Sequence, residues 1–276
     1  MLTPGVRYML LSTVAFALMN VCIKLLAHLP SWELVFFRAV ISLGLSWVFL
    51  KRAGVPVWGK RRGLLVGRGL AGAFALLLYF QTLQEIPLAT AVTLQYLSPV
   101  FTALLAVPLL GERMKLRQWG YFLLSFLGVF LIKGFDPRVP PLYLLMGVGA
   151  ALLAGLAYNL VRKLRTTDHP LVVIFYFPLV TIPVVGPYTL LHWVPPSGRT
   201  DWLLIGAVGV CTQAGQFYLT KALQAEVFAR VMPLNYLGVG YALVMGFVLF
   251  GERFHPLSLV GMGFVLLGVL LNLLRK

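Results

Sequence analysis

Ten apolar runs of membrane-spanning length follow one another through this chain with almost nothing between them, at approximately 5–27, 32–50, 63–84, 87–110, 116–133, 141–163, 170–192, 201–222, 227–250 and 256–274. A helix needs about 20 mainly apolar residues to cross a bilayer. The breaks are turn-like: Leu29-Pro30-Ser31, Ile86-Pro87, Val139-Pro140-Pro141, His169-Pro170 and Pro195-Pro196-Ser197-Gly198. The longest connections, near 51–62 and 193–200, are too short for a soluble domain, so no nucleotide-binding domain is expected between the spans. Composition agrees: the chain is 60% apolar and 11% charged, whereas soluble domains are about 45–50% apolar and roughly 25% charged. The expected fold class is all-α integral membrane with ten transmembrane helices. The run at 8–23, with Arg7 before it and no small-residue cleavage site after it, reads as a retained first helix.

The formal net charge of +15 would suggest nucleic acid in a soluble protein. Here the basic residues fall in short clusters between apolar runs, so no nucleic-acid partner is expected. With the N-terminus cytoplasmic, fifteen of the 23 Lys and Arg lie on the inside, four on the outside, and Lys24, Arg38, Arg68 and Arg230 within spans. That positive-inside bias predicts a multi-pass protein of the cell (inner or plasma) membrane with both termini cytoplasmic. The lipid bilayer is then a partner by default.

The sequence also repeats itself. Gly111-Glu112-Arg113 recurs as Gly251-Glu252-Arg253, and Gln95-Tyr96-Leu97 matches Asn235-Tyr236-Leu237 at the same offset. Asn20 with Lys24 matches Asn159 with Lys163, and Tyr79 matches Tyr218, one residue closer. Each copy holds five spans, an odd number, so residues 1–135 and 136–276 are expected to be five-helix repeats inserted with opposite orientation. Inverted repeats place substrate near the midplane where the halves meet.

Ten helices in two halves, a Gly-Glu-Arg turn after the fourth helix of each, and Phe36-Phe37-Arg38 on the second span resemble the drug/metabolite transporter superfamily, in particular its EamA-type members. The resemblance covers nearly the whole chain. It implies a carrier whose cavity is lined by helices 1, 3 and 4 and their repeats 6, 8 and 9.

Polar side chains at membrane depth are costly and usually face the bundle interior. The substrate-binding candidates are Asn20, Tyr79, Gln95 and Tyr96 in the first half, and Tyr158, Asn159, Gln213, Gln216, Asn235 and Tyr236 in the second. Amides and phenols both donate and accept, which suits a neutral or zwitterionic ligand; the alternative is helix-to-helix hydrogen bonding. Lys24 and Arg38 complete the set. They lie about 5 Å and about 9 Å from their helix ends at 1.5 Å per residue, close enough to snorkel to the surface or to turn inward toward an anion. Arg68 and Arg230 invite snorkelling more strongly. Gln81 and the aromatic residues Phe74, Phe80, Phe217 and Tyr218 are further polar or stacking positions. The Glu-Arg pairs are expected to cap helix ends.

All eight acidic residues fall at loops or span ends, so transport is expected to proceed without a buried carboxylate as proton relay. Cys22 and Cys211 sit in apolar runs and predict no disulfide, and neither metal nor cofactor is expected. Neither a Ser/His pair at membrane depth nor HExxH occurs, which argues against an intramembrane enzyme, and an inverted repeat argues against a channel. The expected function is secondary transport, as exporter or facilitator, of a small polar metabolite such as an amino acid or derivative. The second reading is an anion- or nucleotide-type exchanger or uptake carrier using Lys24 and Arg38. A monomer suffices for this architecture, and a homodimer is left open.

Overall fold

The computed structural model describes residues 3–112, 116–225 and 232–274. The helices are α1 (Pro4–Leu25), α2 (Ser31–Arg52), α3 (Arg62–Glu85), α4 (Leu88–Gln95), α5 (Ser98–Leu110), α6 (Leu116–Phe135), α7 (Pro141–Leu164), α8 (Pro170–Leu191), α9 (Arg199–Ala225), α10 (Leu237–Phe250) and α11 (Pro256–Leu274), with a 3₁₀ turn at Met232–Tyr236 before α10. No strand occurs among the described residues. Seven spans are long and apolar enough to cross a membrane, counting Leu88–Leu110 as one. Two shorter apolar helices, Leu234–Phe250 and Pro256–Leu271, and the 20-residue α6 bring the helical segments to ten. Arg113, Arg230 and the first residues of the ninth expected span lie outside the described residues.

Proline writes the helix starts. Pro4, Pro141 and Pro170 open α1, α7 and α8, where the missing N–H is not needed and φ is already helical. Inside α8, Pro178, Pro183 and Pro187 leave the helix continuous, as membrane helices allow when neighbours satisfy the freed carbonyls. Large apolar side chains such as Leu123, Phe130, Leu145, Leu190, Val244 and Val248 are exposed around the outside. Facing water they would be a liability; facing lipid they are the solvent-matched surface.

The fourth and ninth spans depart from the continuous helices expected at 87–110 and 227–250. Tyr96 N–H is shared between the carbonyls of Val92 (3.2 Å) and Thr93 (3.1 Å), and Leu97 N–H turns to Leu94 at 3.0 Å. The helix thus tightens and stops at Tyr96, and Pro99 enters in the first turn of α5. Pro99 has no N–H to return to Gln95, and its ring would clash with that carbonyl in an unbroken helix. In the second half the 3₁₀ turn ending at Tyr236 interrupts the ninth span at the same register.

The turns closing α5 and α10 are copies of one another. Gly111 and Gly251 take left-handed φ of 70° and 62°, a conformation glycine adopts without a Cβ penalty. Gly111 N–H bonds Val107 O and Glu112 N–H reaches Ala106 O; Gly251 N–H bonds Phe247 O and Glu252 N–H reaches Gly246 O. Packing is reciprocal too. α1 packs on α9 and α3 on α7, α2 lies against α8, and α6 against α11.

Candidate functional site

The breaks in the fourth and ninth spans bring two tyrosines face to face. Tyr96 and Tyr236 have ring centroids 4.8 Å apart, and the Tyr96 hydroxyl donates to the Asn235 carbonyl at 2.6 Å. A backbone carbonyl is available there because the helix is interrupted. Gly238 makes room for the crossing: a Cβ on it would stand 2.5 Å from the Tyr96 hydroxyl. Tyr79 stands beside Asn20 and close enough to Tyr96 to interact electrostatically, while Tyr158 is in the same relation to Tyr96 and Tyr236. The residues expected from α1, α3, the fourth span, α7 and the ninth span therefore converge on one place.

Several polar atoms in this cluster have no protein partner. Asn20 Oδ1, Gln95 Oε1 and the Tyr236 hydroxyl are buried without a hydrogen bond. Unmade hydrogen bonds in a buried site are costly, and a polar ligand would supply them. Tyr158, which neighbours Tyr96 and Tyr236 electrostatically, is 51% exposed.

Other candidates are placed differently. Asn159 Nδ2 donates to Thr102 O at 2.9 Å and Gly155 O at 3.2 Å, which ties α7 to α5; this is helix glue, unlike its repeat-mate Asn20. Gln213 is buried along α9 and lines a surface recess with Leu45, Phe49 and Phe217. Gln216 also lies on α9. Gln81 accepts from Ser31 at 2.7 Å.

Lys24 is spent on structure. Its Nζ donates to Ile86 O at 2.6 Å and pairs with Glu252 Oε1 at 3.1 Å. Glu252 in turn accepts from Leu88 N–H at 2.9 Å, capping α4. The matching junction in the other half joins Glu112 to Arg162. Glu252 therefore sits at the start of the Leu88–Leu110 span, and Glu112 just past its end. Of the two glutamates, Glu252 caps a helix start, whereas the Glu112 side chain pairs with Arg162.

Arg38 turns inward. It is 6% exposed, and its Nε donates to Thr212 Oγ1 at 3.1 Å. Its guanidinium lies 5.3 Å from the Phe177 ring and 6.0 Å from Phe80. Arg68 does not snorkel as expected: it lies 4.4 Å over the same Phe177 ring, with Nε and Nη1 buried and unpartnered. Its side chain is drawn inward by an aromatic face. Sequence reasoning gave Phe177 and Thr212 no role and underrated Arg68; the available signal was the excess of in-span arginines over in-span acids. Among the described residues no three His, Cys, Asp or Glu side chains gather as a metal site.

The model of the EamA-like transporter family matches residues 3–134 and again residues 141–274. The pseudopaline exporter CntI of Pseudomonas aeruginosa is 32% identical over 263 residues, covering 95% of this chain and 93% of that protein. The S-adenosylmethionine uptake transporter of Rickettsia prowazekii is 27% identical, covering 90% and 85%, and the riboflavin transporter of Vibrio cholerae is 25% identical, covering 90% and 85%. A solved crystal structure superposes with a TM-score of 0.68 over 96% of this chain and 94% of its own, at 18% identity, a likeness of fold.

Proposed function

The chain belongs to the EamA-like transporter family and is a metabolite transporter rather than an enzyme, and on that premise we propose that it moves a small polar metabolite, such as an amino acid or derivative, by alternating access between two inverted repeats. The observation that carries this reading is the Tyr96–Tyr236 crossing. It is built from the same helix break in each half, and buried polar atoms around it lack partners. Broken helices at the junction of two repeats are a recurring way to expose polar groups to substrate at membrane depth.

Two further observations support the inversion. The family model matches twice, with only residues 135–140 between the matches, and the two Gly-Glu turns lie at opposite ends of the Leu88–Leu110 span. Similar halves of opposite orientation can exchange conformations at little cost, giving states open to either side. Export is the favoured direction, by likeness to the exporter at 32% identity, and the membrane is the bacterial inner membrane with both termini cytoplasmic.

Energy coupling follows from where the acids are. Glu33, Asp168, Asp201 and Glu252 accept from backbone N–H groups at helix ends and connections, and Asp136 is held by Arg138. Among the described residues, none of these contacts places a carboxylate in the tyrosine cluster, which supports transport without a proton relay there. The test is counterflow in proteoliposomes with labelled amino acids. We expect saturable exchange that is reduced at least about tenfold in Tyr236→Ala, as when a partner needed by a bound ligand is removed, and that persists with pH equal on both sides. Net uptake into the same proteoliposomes that requires a pH gradient would overturn the uncoupled mechanism.

A further inference from the structure

Among the described residues, two guanidinium groups lie inside the bundle with no acid to answer them. The four ion pairs among the described residues are Lys24–Glu252, His28–Asp201, Arg138–Asp136 and Arg162–Glu112. Arg38 and Arg68 belong to none of them. Arg38 lies about 10 Å along α2 from its start and Arg68 about 9 Å along α3, at 1.5 Å per residue. Both close on Phe177, at 5.3 Å and 4.4 Å, near enough to repel each other. Thr212, the polar side chain to which Arg38 donates, is neutral.

Buried charges are ordinarily paired or neutralised, because leaving water is expensive. Two unpaired cations sharing one aromatic plate violate that rule twice, and the unpartnered Nε and Nη1 of Arg68 violate it again at atomic detail. Lys24, by contrast, is already neutralised by Glu252 and held by two carbonyls. The arginine pair also adjoins the tyrosine cluster. Tyr158 interacts electrostatically with Arg68 on one side and with Tyr96 and Tyr236 on the other, and half its surface is open. Guanidinium is suited to this position: its planar fork binds two oxygens at once and stacks on an aromatic face.

We propose that Arg38 and Arg68 form the oxyanion subsite of the transport cavity, receiving a carboxylate- or phosphate-bearing end of the metabolite while the tyrosine and amide cluster holds its neutral polar part. This deepens the transporter reading and rests on it. It specifies the substrate class as one with net negative charge at that end, since two fixed cations without counter-charge oppose a ligand bearing only positive charge.

The test uses purified full-length protein in an uncharged detergent. Thermal unfolding is followed while succinate or inorganic phosphate is titrated, with chloride at matched ionic strength as control and phosphatidylglycerol as a separate arm. Succinate or phosphate is expected to raise the midpoint saturably beyond chloride, as a ligand of the native state does. Arg38→Gln and Arg68→Gln are expected to abolish that rise, whereas Arg165→Gln, on an exposed surface arginine, retains it. Arg68→Lys keeps the charge without the fork and is expected to bind about tenfold more weakly. Without ligand, Arg68→Gln is expected to unfold at a higher temperature than the parent, because it removes an unpaired buried cation. A lower midpoint would mark Arg68 as structural and overturn the proposal. So would the absence of a saturable response in the parent, a response retained by Arg68→Gln, or a response to phosphatidylglycerol alone. Failure of the two readings is distinguishable. Oxyanion binding with no metabolite flux in proteoliposomes sinks the carrier, whereas flux of neutral metabolites without oxyanion binding sinks the subsite.

Discussion

At the scale of single residues, the Tyr96–Asn235 hydrogen bond and the bare Cα of Gly238 form one unit. Removing the hydroxyl in Tyr96→Phe leaves a buried carbonyl unpaired, a loss of about 1–2 kcal/mol. Gly238→Ala drives a methyl into the hydroxyl and is expected to cost about 1–3 kcal/mol by overpacking. Because both act on the same oxygen, the two effects are expected to be non-additive: Gly238→Ala should cost distinctly less in a Tyr96→Phe background. Unfolding of the four proteins in detergent checks this, and additive losses would show that the two sites are independent. The Tyr96–Tyr236 pair was legible in the sequence because it recurs with Gln95 and Asn235 at a fixed offset, and such a coincidence carries spatial meaning in a repeat protein. The Arg68–Phe177 contact was not. An arginine about 9 Å from a helix end can snorkel or turn inward with equal ease by length alone, and Phe177 is one of 19 phenylalanines. Asn159 shows the reverse failure: repeat symmetry marks it as the mate of Asn20, yet its amide is consumed by Thr102 and Gly155.

At the scale of helices, span number and order follow from hydropathy, because every backbone polar group in lipid must be satisfied within its own segment. What hydropathy leaves open is which helices touch, and glycine decides that for α6 and α11. A Cβ on Gly261 would meet the Gly128 carbonyl at 2.7 Å and Ile132 N at 3.0 Å. A Cβ on Gly268 would meet the Tyr121 carbonyl at 2.6 Å. These obstacles are backbone, which cannot rotate away as a side chain does. Between membrane helices, where no hydrophobic force distinguishes neighbour from lipid, close backbone approach is a principal source of association. Gly261→Val is therefore expected to separate α6 from α11 and lower stability by about 1–3 kcal/mol or more. Gly263→Val, whose Cβ would meet nothing within 4 Å, should change it little. Equal losses at both positions would refute the close-approach account. The breaks at Tyr96 and Tyr236 lie on the same level. Pro99 follows the first break by three residues and Pro233 precedes the second by three, but because proline is tolerated inside membrane helices neither marks a break by itself, and the repeat is what pairs them.

At the scale of the whole molecule, the first helix of each half is tied to the Gly-Glu turn of the other: α1 through Lys24–Glu252, α7 through Arg162–Glu112. The pairs are unequal. Lys24 and Glu252 are 13% and 7% exposed, against 39% and 43% for Arg162 and Glu112. A buried ion pair stripped of one partner is strongly destabilising, whereas an exposed one contributes little. The Glu252 end is thus held more tightly than the Glu112 end. Glu252→Gln weakens the attraction to Lys24, so it is expected to loosen its end of the bundle, whereas Glu112→Gln should have a small effect. Both effects presuppose that the two turns face opposite sides of the membrane, which labelling can decide. With Cys22 and Cys211 replaced by alanine, Arg165→Cys reports the end near Glu112, and Arg253→Cys reports the end near Glu252. A membrane-impermeant thiol reagent applied to intact cells is expected to label Arg253→Cys and to spare Arg165→Cys until the membrane is opened. Tyr158→Cys, near the tyrosine cluster, should then become more reactive from outside when Glu252→Gln is added. Labelling of both loop cysteines from a single side would place the two turns together. The odd number of crossings per half, and with it any exchange of states between inverted halves, would then be lost.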